Sequence, residues 1–351
     1  MKTAIQRCFS RASAQYDNHA FFQKKVADQL MGFLREVFIP IEFQGAGSMR
    51  NSFAFQEKFS EARHSKVSMG SRRRFFLEQK WKAEASALDS GGYIFPSTLP
   101  SSTREEVILE RSSTSEKVIL ERYPTTDEMK SKDYSTIILD VGCGTGYSFP
   151  ALSNLFPASK VFGVDLSFSQ CQRASDKYSV ACADFDHLPF PNGSVDVIFS
   201  NLALQWSLDL NQTVKHLAEV LAPGGALVFS TLGDGTLQEL TQAKKRSRPT
   251  LPENLLSHPF LPLSETLLAL EGASFKIMIK KRETETFWFN HPLEVLRSLK
   301  AVGANYLSSG NIGLSTKKSI EALIESYPLD AKEKLYPLTY QVDYIVAKKE
   351  P

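Results

Sequence analysis

A glycine-rich turn between two apolar runs constrains the fold of this chain more than any other feature. Residues 137–141 form a short β-branched and apolar run, which is typical of a strand buried on both faces. Residues 142–146 then contain three glycines, which permit a sharp turn and a close approach of backbone to a ligand. A second apolar run at 160–165 ends in Asp165, whose carboxylate suits a pair of ribose hydroxyls.

The order of strand, glycine loop, helix, strand and acid predicts a site for a nucleoside-containing cofactor in a doubly wound sheet. The usual dinucleotide spacing requires a glycine at position 147, where this chain has Tyr147. The loop therefore departs from the dinucleotide pattern. A glycine-rich turn without any ligand is the alternative interpretation.

Composition places the chain among ordinary globular proteins. It has 351 residues, with 42% hydrophobic and 23% charged residues and a formal net charge of +2. No apolar run reaches membrane-spanning length, so we expect a soluble, cytoplasmic protein. The four cysteines show no CxxC pair and no metal-ligand spacing, so we expect reduced thiols and no metal. The first residues lack acids, and a transit peptide is the alternative to a folded N-terminal segment.

Shifts in composition divide the chain into four parts. We predict N-terminal helices at 1–34 that close over the cofactor, an atypical and partly disordered insertion at 35–133, a cofactor-binding core at 134–233, and a substrate lid with closing strands at 234–351. Asn18 is predicted to cap the second N-terminal helix. Tyr16 lies between the two helices, where an aromatic ring can close over a cofactor or simply pack in the core.

The 35–133 tract is rich in Ser, Arg, Lys and Glu. Its basic and aromatic cluster at 72–76 is a candidate nucleic-acid contact, but a solvated face is the favoured interpretation, and we expect no nucleic-acid partner. Two similar segments, Glu106–Arg111 and Lys117–Arg122, form an internal echo. Two copies are too few for a solenoid.

From residue 136 onward, strand and helix patterns alternate regularly. This rhythm predicts an α/β fold, a Rossmann-like sheet of five parallel strands closed by an antiparallel hairpin, with a helical lid. The predicted parallel strands are 136–141, 160–165, 179–182, 195–200 and 225–231. The predicted late strands are 275–288 and 339–347, with helices at 264–271, 292–302 and 315–326.

Four motifs resemble those of the class I S-adenosylmethionine-dependent methyltransferases. They are the loop Leu139–Gly146, Asp165 at the ribose position, Asp184 with Phe185 at the adenine position, and the Leu221–Gly225 turn. The resemblance implies S-adenosyl-L-methionine as cofactor. The cofactor-binding residues expected from it are Tyr16, Asp140, Gly142, Cys143, Gly144, Gly146, Asp165, Leu166, Asp184, Phe185, Asn201 and Gln205.

Further segments are similar to the malonyl-acyl-carrier-protein O-methyltransferases of biotin synthesis. These segments are 11–19, 200–206, 229–240, 296–304 and 336–340. The resemblance implies methylation of the free carboxylate of a malonyl thioester, carried by acyl-carrier protein or coenzyme A. It covers about residues 4–34 and 134–349 and leaves the insertion without a counterpart.

A malonyl carboxylate is ionised at neutral pH, so this reaction requires positioning rather than a general base. We nominate Arg297, with Lys300 as a weaker candidate, to orient the carboxylate, because both lie on one helical face. Trp206 is expected to border the methyl group and the substrate arm. The competing interpretations are solvated helix charges for the two cations and core packing for the tryptophan.

A basic loop is predicted between the fifth strand and the lid, and it is a candidate docking surface for an acidic carrier protein. Its residues are Lys244, Lys245, Arg246 and Arg248. A plain solvated loop is the alternative.

Three other functions compete with the favoured one. The chain can be a methyltransferase of another small acid or of a quinone precursor. It can resemble a respiratory complex I assembly factor that hydroxylates protein arginine, although residues 297–300 favour the biotin-pathway reading. Finally, the insertion can have disabled catalysis and left a cofactor-binding or interaction protein.

Overall fold

A computed structural model of the protein describes residues 2–38, 136–247, 259–304 and 317–350, together with the backbone of three short strands between positions 93 and 120. Within these ranges, no helix is long and apolar enough to cross a membrane. The helices are α1 Lys2–Ala12, α2 Tyr16–His19, α3 Phe21–Phe38, α4 Phe149–Leu155, α5 Phe168–Ser175, α6 Leu210–Val220, α7 Gln238–Ser247, α8 Leu263–Glu271, α9 Pro292–Ala301 and α10 Lys317–Ser326. The strands are β1 Tyr93–Ile94, β2 Val107–Arg111, β3 Lys117–Leu120, β4 Thr136–Val141, β5 Ser159–Asp165, β6 Ser179–Cys182, β7 Val195–Asn201, β8 Leu221–Leu232, β9 Phe275–Phe289 and β10 Tyr336–Lys349.

Seven of the strands form one sheet in the order β6-β5-β4-β7-β8-β10-β9. The first five run parallel, and β10 pairs antiparallel with both β8 and β9. The predicted fold class and closing hairpin are confirmed. In such a sheet, the carboxyl ends of β4, β5 and β7 meet at one edge beside the point where strand order reverses, which is where ligands bind.

Alternation along the central strands divides the core into two layers. Ile137 and Leu139 of β4 belong to one buried cluster, whereas Ile138 between them belongs to the other. This division follows from the two-residue period of a strand. Helices α6 and α8 cover the first face, and α3, α4 and α5 cover the second.

The N-terminal helices are part of this fold. Phe22, Val26 and Leu30 of α3 are buried against the sheet, and Phe33 packs beside them, as their helical spacing predicts. The prediction for Asn18 is wrong: this residue lies inside the short helix α2 and not at the start of α3. Three helices therefore occupy the segment where two were predicted, because the chain turns again at Ala20.

Helices α7, α9 and α10 pack on one another beside β10, within the segment predicted to be a lid, and we call them the lid helices. Their shared apolar cluster includes Leu240, Leu299 and Leu323. The predicted basic loop is wrong in its conformation, because α7 continues through Lys244 to Ser247. Buried positions recur at a helical period in this basic stretch, and Ala243 belongs to the apolar cluster shared with α9 and α10. This pattern explains why the stretch is a helix.

The two copies of the internal echo contain β2 and β3, which form a second, small sheet with β1 in the order β1-β2-β3. The copies pair with each other antiparallel, with Val107 opposite Leu120 and Ile108 opposite Ile119. The remainder of the predicted insertion at 35–133 lies outside the described residues, except that α3 extends to Phe38.

The closing hairpin contains a buried ion pair. Asp343 on β10 is completely buried, and both of its carboxylate oxygens accept hydrogen bonds from Arg282 on β9, at 2.6 and 2.7 Å. The same guanidinium donates to Asp234, just after β8, at 2.7 Å. This cluster fixes the two late strands to the parallel part of the sheet.

Candidate cofactor-binding site

A cleft lies at the carboxyl end of β4, between the glycine loop and the N-terminal helices. Half of the predicted cofactor-binding residues line it, and α2 and α3 supply the opposite wall. Its lining residues are Tyr16, Asp17, Ala20, Gln23, Lys24, Asp140, Gly142, Cys143, Gly144, Thr145, Tyr147, Ser148 and Asn201.

Asp140 is the most unusual group in the cleft. Its side chain is 1% exposed, and its Oδ2 atom has no hydrogen-bond partner among the described residues. Burial, with a smaller contribution from Asp165, raises the pKa of Asp140 to about 8. A buried acceptor without a donor is costly for the protein alone, so it indicates a position for a ligand that carries a donor or a positive charge.

Glycine is required at two positions of the loop for steric reasons. Gly142 has a φ of +75°, and a Cβ there would lie 2.3 Å from the Cβ of Ala203. Gly146 has a φ of +85°, and a Cβ there would lie 2.7 Å from the ring of Tyr178. At Gly144 the nearest atom to such a Cβ belongs to Tyr16, across the cleft at 4.0 Å. A side chain at that position would fill space that the loop leaves open.

Asp165 at the end of β5 holds the loop in place. Its two oxygens accept hydrogen bonds from the amides of Gly144, at 2.9 Å, and Ser167, at 2.7 Å. Burial raises the pKa of Asp165, while these two amides act to lower it. Leu166, next in the chain, receives a hydrogen bond on its carbonyl from Gln6 of α1 at 3.0 Å.

Asp184 and Phe185 lie beyond the end of β6, as predicted for a loop beside a base. Asp184 begins a 3₁₀ turn, Phe185–His187, by accepting a hydrogen bond from the amide of Asp186 at 3.0 Å. The ammonium of Lys2 on α1 lies 2.6 Å from both Asp184 and Asp186. It also lies 4.1 Å from the ring centroid of Phe185.

Asn201 and Gln205 occupy the edge of the sheet after β7. Asn201 accepts a hydrogen bond from Ser230 and donates to the backbone carbonyl of Gln23 on α3, so it joins the sheet to the N-terminal helices. Gln205 donates to the carbonyl of Leu202 at 2.7 Å in a short turn, outside the cleft lining. Leu202 has a φ of +50°, which marks the sharp change of direction after the strand.

The sequence analysis placed the N-terminal helices and Tyr16 over the cofactor, but it did not single out Asp17, Gln23 and Lys24, which also line the cleft. Thr145 donates a 2.6 Å hydrogen bond to Asp17, and the ammonium of Lys24 donates to the Asp17 carbonyl at 2.8 Å. Gln23 contributes a shielded Oε1 atom that has no hydrogen-bond partner among the described residues. No continuous helical period marks these residues, because α2 ends at His19 and the chain turns at Ala20 before α3 begins.

The cleft residues fit the amino-acid end of S-adenosylmethionine. That end carries an ammonium group, for which Asp140 offers an unpartnered oxygen in a shielded position. Asp165 retains lone-pair capacity for hydroxyl donors beyond its two amide contacts. Tyr16 closes the opposite side, and burial raises the pKa of its phenol, so this side chain is uncharged at neutral pH.

The predicted substrate-side residues lie apart from the cleft lining. Trp206, in the turn Leu204–Trp206, packs edge to face against Phe9 of α1 at 5.7 Å between ring centroids. Arg297 and Lys300 are exposed on α9, a helix that contacts α1 and α2. The structure thus places α9 beside the N-terminal helices but does not bring these two cations to the buried acids.

The predicted carrier-binding cations have different environments. Lys245 and Arg246 are exposed near the end of α7, whereas Lys244 is buried. Arg248 lies outside the described residues. A docking surface at this end of α7 would therefore use Lys245 and Arg246 and not Lys244.

Comparison with known proteins identifies similarity to methyltransferases and to proteins of biotin biosynthesis. A family model described as a methyltransferase domain matches residues 139–229. A malonyl-[acyl-carrier protein] O-methyltransferase of Marinomonas sp. is 31% identical over 61% of this chain and 80% of its own length. The corresponding protein of Pectobacterium atrosepticum is 34% identical over 61% of this chain and 81% of its own length. A biotin biosynthesis bifunctional protein of Saccharophagus degradans is 31% identical over 59% of this chain and 39% of its own length.

Proposed function

Because this chain belongs to the class I S-adenosylmethionine-dependent methyltransferases, we propose that its acceptor is the free carboxylate of a malonyl thioester. S-adenosylmethionine is its cofactor, and when bound it supplies an electrophilic methyl group. The observation that carries the choice of acceptor is the name shared by relatives that match over about four-fifths of their length. The product would be a malonyl thioester methyl ester, and the reaction would serve biotin synthesis.

The reaction requires the protein mainly to position the acceptor carboxylate beside the methyl group and to exclude water from the site. The acceptor carboxylate is already ionised at neutral pH, so no side chain has to remove a proton. Carboxylate and sulfonium charges neutralise each other during transfer, which a site shielded from water favours. The wall formed by α2 and α3, which Asn201 of β7 joins to the sheet, would supply this shielding on the cofactor side through Tyr16.

A cation that orients the carboxylate is the remaining requirement, and Arg297 is our candidate. Its guanidinium has the fork that matches a carboxylate, and it is exposed on a helix that contacts α1 and α2. Among the described residues, no hydrogen bond or ion pair engages its side chain, so it is available to an incoming acid. Lys300 lies one turn later on the same face and is the weaker candidate, because an ammonium cannot bind both oxygens in a plane.

The carrier is proposed to be the acidic acyl-carrier protein, with coenzyme A as the alternative. Lys245 and Arg246 are exposed at the end of α7 and offer positive charge beside the lid. Reversing both charges to glutamate should raise KM for the carrier-bound substrate several-fold, most strongly at low salt, and leave KM for malonyl-coenzyme A little changed. An unchanged KM for the carrier would remove α7 from the docking surface.

Genetic complementation tests the biological role. A bacterial strain that requires biotin because it lacks the malonyl methyltransferase should grow without biotin when it expresses this chain. The Asp140→Asn chain, expressed at the same level, should not support growth, since its cofactor site is impaired. No growth with a folded protein that binds cofactor would contradict the proposed acceptor and would leave the cofactor assignment intact.

A further inference from the structure

Lys2 belongs to none of the sequence motifs described above. It lies on α1, and its ammonium contacts the loop that is expected to hold the adenine base. Its Nζ atom lies 2.6 Å from Asp184 Oδ1 and 2.6 Å from Asp186 Oδ2, 4.1 Å from the ring centroid of Phe185. Its side chain is 16% exposed, compared with 26% and 18% for the two acids. Three charges are thus largely removed from water at one point, where such pairs are stronger than on an open surface.

The contacts fix the orientation of Asp184. Its Oδ1 atom accepts hydrogen bonds both from Lys2 and from the amide of Asp186, at 2.6 and 3.0 Å. Within the described part of the chain, its Oδ2 atom has no hydrogen-bond donor. The carboxylate therefore keeps one oxygen for a ligand while the other is held by the protein.

Asp186 is itself held in place, so Lys2 bridges two fixed groups. Its Oδ1 atom accepts a short hydrogen bond from Thr213 of α6, whose hydroxyl also pairs with Ser207. Its Oδ2 atom forms an ion pair with the ammonium of Lys2. Lys2 consequently connects α1 to the loop after β6, and through it to α6.

The position of α1 is secured independently of Lys2. Gln6 donates to the carbonyl of Leu166, and the hydroxyls of Ser10 and Ser167 lie 3.0 Å apart. Phe9 packs against Trp206. With the helix anchored in this way, Lys2 loses less freedom on forming its two ion pairs than a cation on a free terminus would.

We propose that Lys2 is a positioning residue for the adenine base, which holds Asp184 so that its second oxygen accepts from the exocyclic amino group. The role concerns selection of the base and is independent of the acceptor proposed above. A hydrogen-bonding site of this kind discriminates by leaving a buried polar group unpaired when the wrong base binds. Loss of Lys2 should therefore affect adenosine ligands more than inosine ligands, which lack the amino group.

Equilibrium titration calorimetry with S-adenosylhomocysteine and S-inosylhomocysteine tests the proposal without any turnover. The proteins to compare are the full chain, Lys2→Met, Lys2→Arg and, as a matched control for loss of one charge, Lys177→Met, which alters an exposed lysine after α5. We expect Lys2→Met to bind S-adenosylhomocysteine about tenfold more weakly, a difference of about 1.4 kcal/mol. Binding of the inosine ligand should change by less than about threefold.

The remaining variants fix the interpretation. Lys2→Arg keeps the charge and should retain most of the preference for adenosine, and Lys177→Met should match the full chain. Equal weakening of both ligands in Lys2→Met, or unchanged binding of both, would overturn the proposal, because it would leave Lys2 with only a structural role or none. If Lys2→Met does not fold, Lys2→Arg decides: loss of the adenosine preference in that variant would likewise contradict it.

Discussion

Asp343 and Asp140 are about equally buried, but they differ in the hydrogen bonds that their carboxylates receive. Asp343 in the closing hairpin is 0% exposed, and Arg282 donates to both of its oxygens. Asp140 at the end of β4 is 1% exposed, and its Oδ2 atom has no hydrogen-bond partner among the described residues. Burial of the unpaired Asp140 carboxylate therefore lowers the stability of the protein, whereas the Asp343 carboxylate is compensated by its partner.

The difference separates a structural acid from a binding acid. A buried carboxylate that is fully paired holds elements together, and its loss is felt in the free energy of unfolding. A buried carboxylate without a partner weakens the protein alone, and its pKa rises, as that of Asp140 does to about 8. Such a group is retained when a ligand supplies the missing partner, and we propose that the ammonium of S-adenosylmethionine is this partner.

The largest effect is expected at the hairpin. Replacing Arg282 by Met removes the partner of a completely buried carboxylate and should lower the free energy of unfolding by about 3 kcal/mol. Urea unfolding without cofactor measures this change. Lys281→Met is a matched control, because its ion pair with Glu283 is half-exposed, and it should cost less than about 1 kcal/mol. Similar values for the two variants would show that Asp343 does not depend on its pair.

The same kind of experiment at Asp140 should give the opposite sign. Asp140→Asn should weaken binding of S-adenosylhomocysteine about a hundredfold, because a buried charge partner of the ammonium is lost. The cofactor-free variant should nevertheless be more stable than the parent. The unfolded carboxyl releases its proton in the ordinary aspartate range, whereas the folded one keeps it up to about pH 8, so the stability gain grows across that window. A destabilised variant would place Asp140 among the structural acids.

Cofactor affinity should also depend on pH through the same group. Below pH 8, Asp140 must lose a proton to receive an ammonium, so the Kd of S-adenosylhomocysteine should fall by up to about tenfold per unit between pH 6 and 8. Calorimetry in buffers of different ionisation enthalpy would measure the released proton.

The control for this pH effect is Asp140→Asn, in which the slope should be much smaller. The charge of Asp165 acts on Asp140, and the other titratable or charged groups of the cleft lining are Asp17, Lys24, Tyr16, Tyr147 and Cys143. Burial raises the pKa values of Tyr16 and Cys143, so both stay protonated in the tested range. An unchanged slope in the variant would show that Asp140 is not the group that titrates.

The smallest effect is expected at Arg297, where a substitution should change turnover without changing cofactor affinity. Arg297→Ala should lower turnover at least about tenfold while the Kd of S-adenosylhomocysteine stays unchanged, because the residue is exposed and lies outside the cofactor cleft. Lys300→Ala should have a smaller effect on turnover. Lys317→Ala, which removes an almost fully exposed cation, serves as the control. Near-normal turnover of Arg297→Ala would end its assignment as the orienting cation.

Local patterns were sufficient to predict the sheet and the glycine loop. The strand that contains Ile137, the turn at Gly142 and the acid at Asp165 are close in sequence, and each is identified by period or by steric need. The contacts that complete the site join distant residues, such as Lys2 with Asp184 and Asn201 with Gln23. No sequence period records such pairs, because they arise only when α1 and α3 pack across the sheet edge.

In the two wrong predictions, residue type alone was a poor guide to the local structure. Asn18 has the residue type of a helix cap, but the chain forms a further short helix before turning at Ala20. Residues 244–247 are polar and basic, which suggested a loop, yet burial of Ala243 and Lys244 against the lid makes them the last turn of α7. Tertiary packing decided both cases against the local preference.

The most direct test of the proposed reaction is the mass of the product. Purified protein is incubated with S-adenosylmethionine and either malonyl- or acetyl-acyl-carrier protein, and intact carrier is weighed by mass spectrometry. We expect the malonyl carrier alone to gain the mass of one methylene unit, with S-adenosylhomocysteine formed in equal amount. No mass gain on the malonyl carrier, with a folded protein that binds cofactor, would contradict the proposed acceptor.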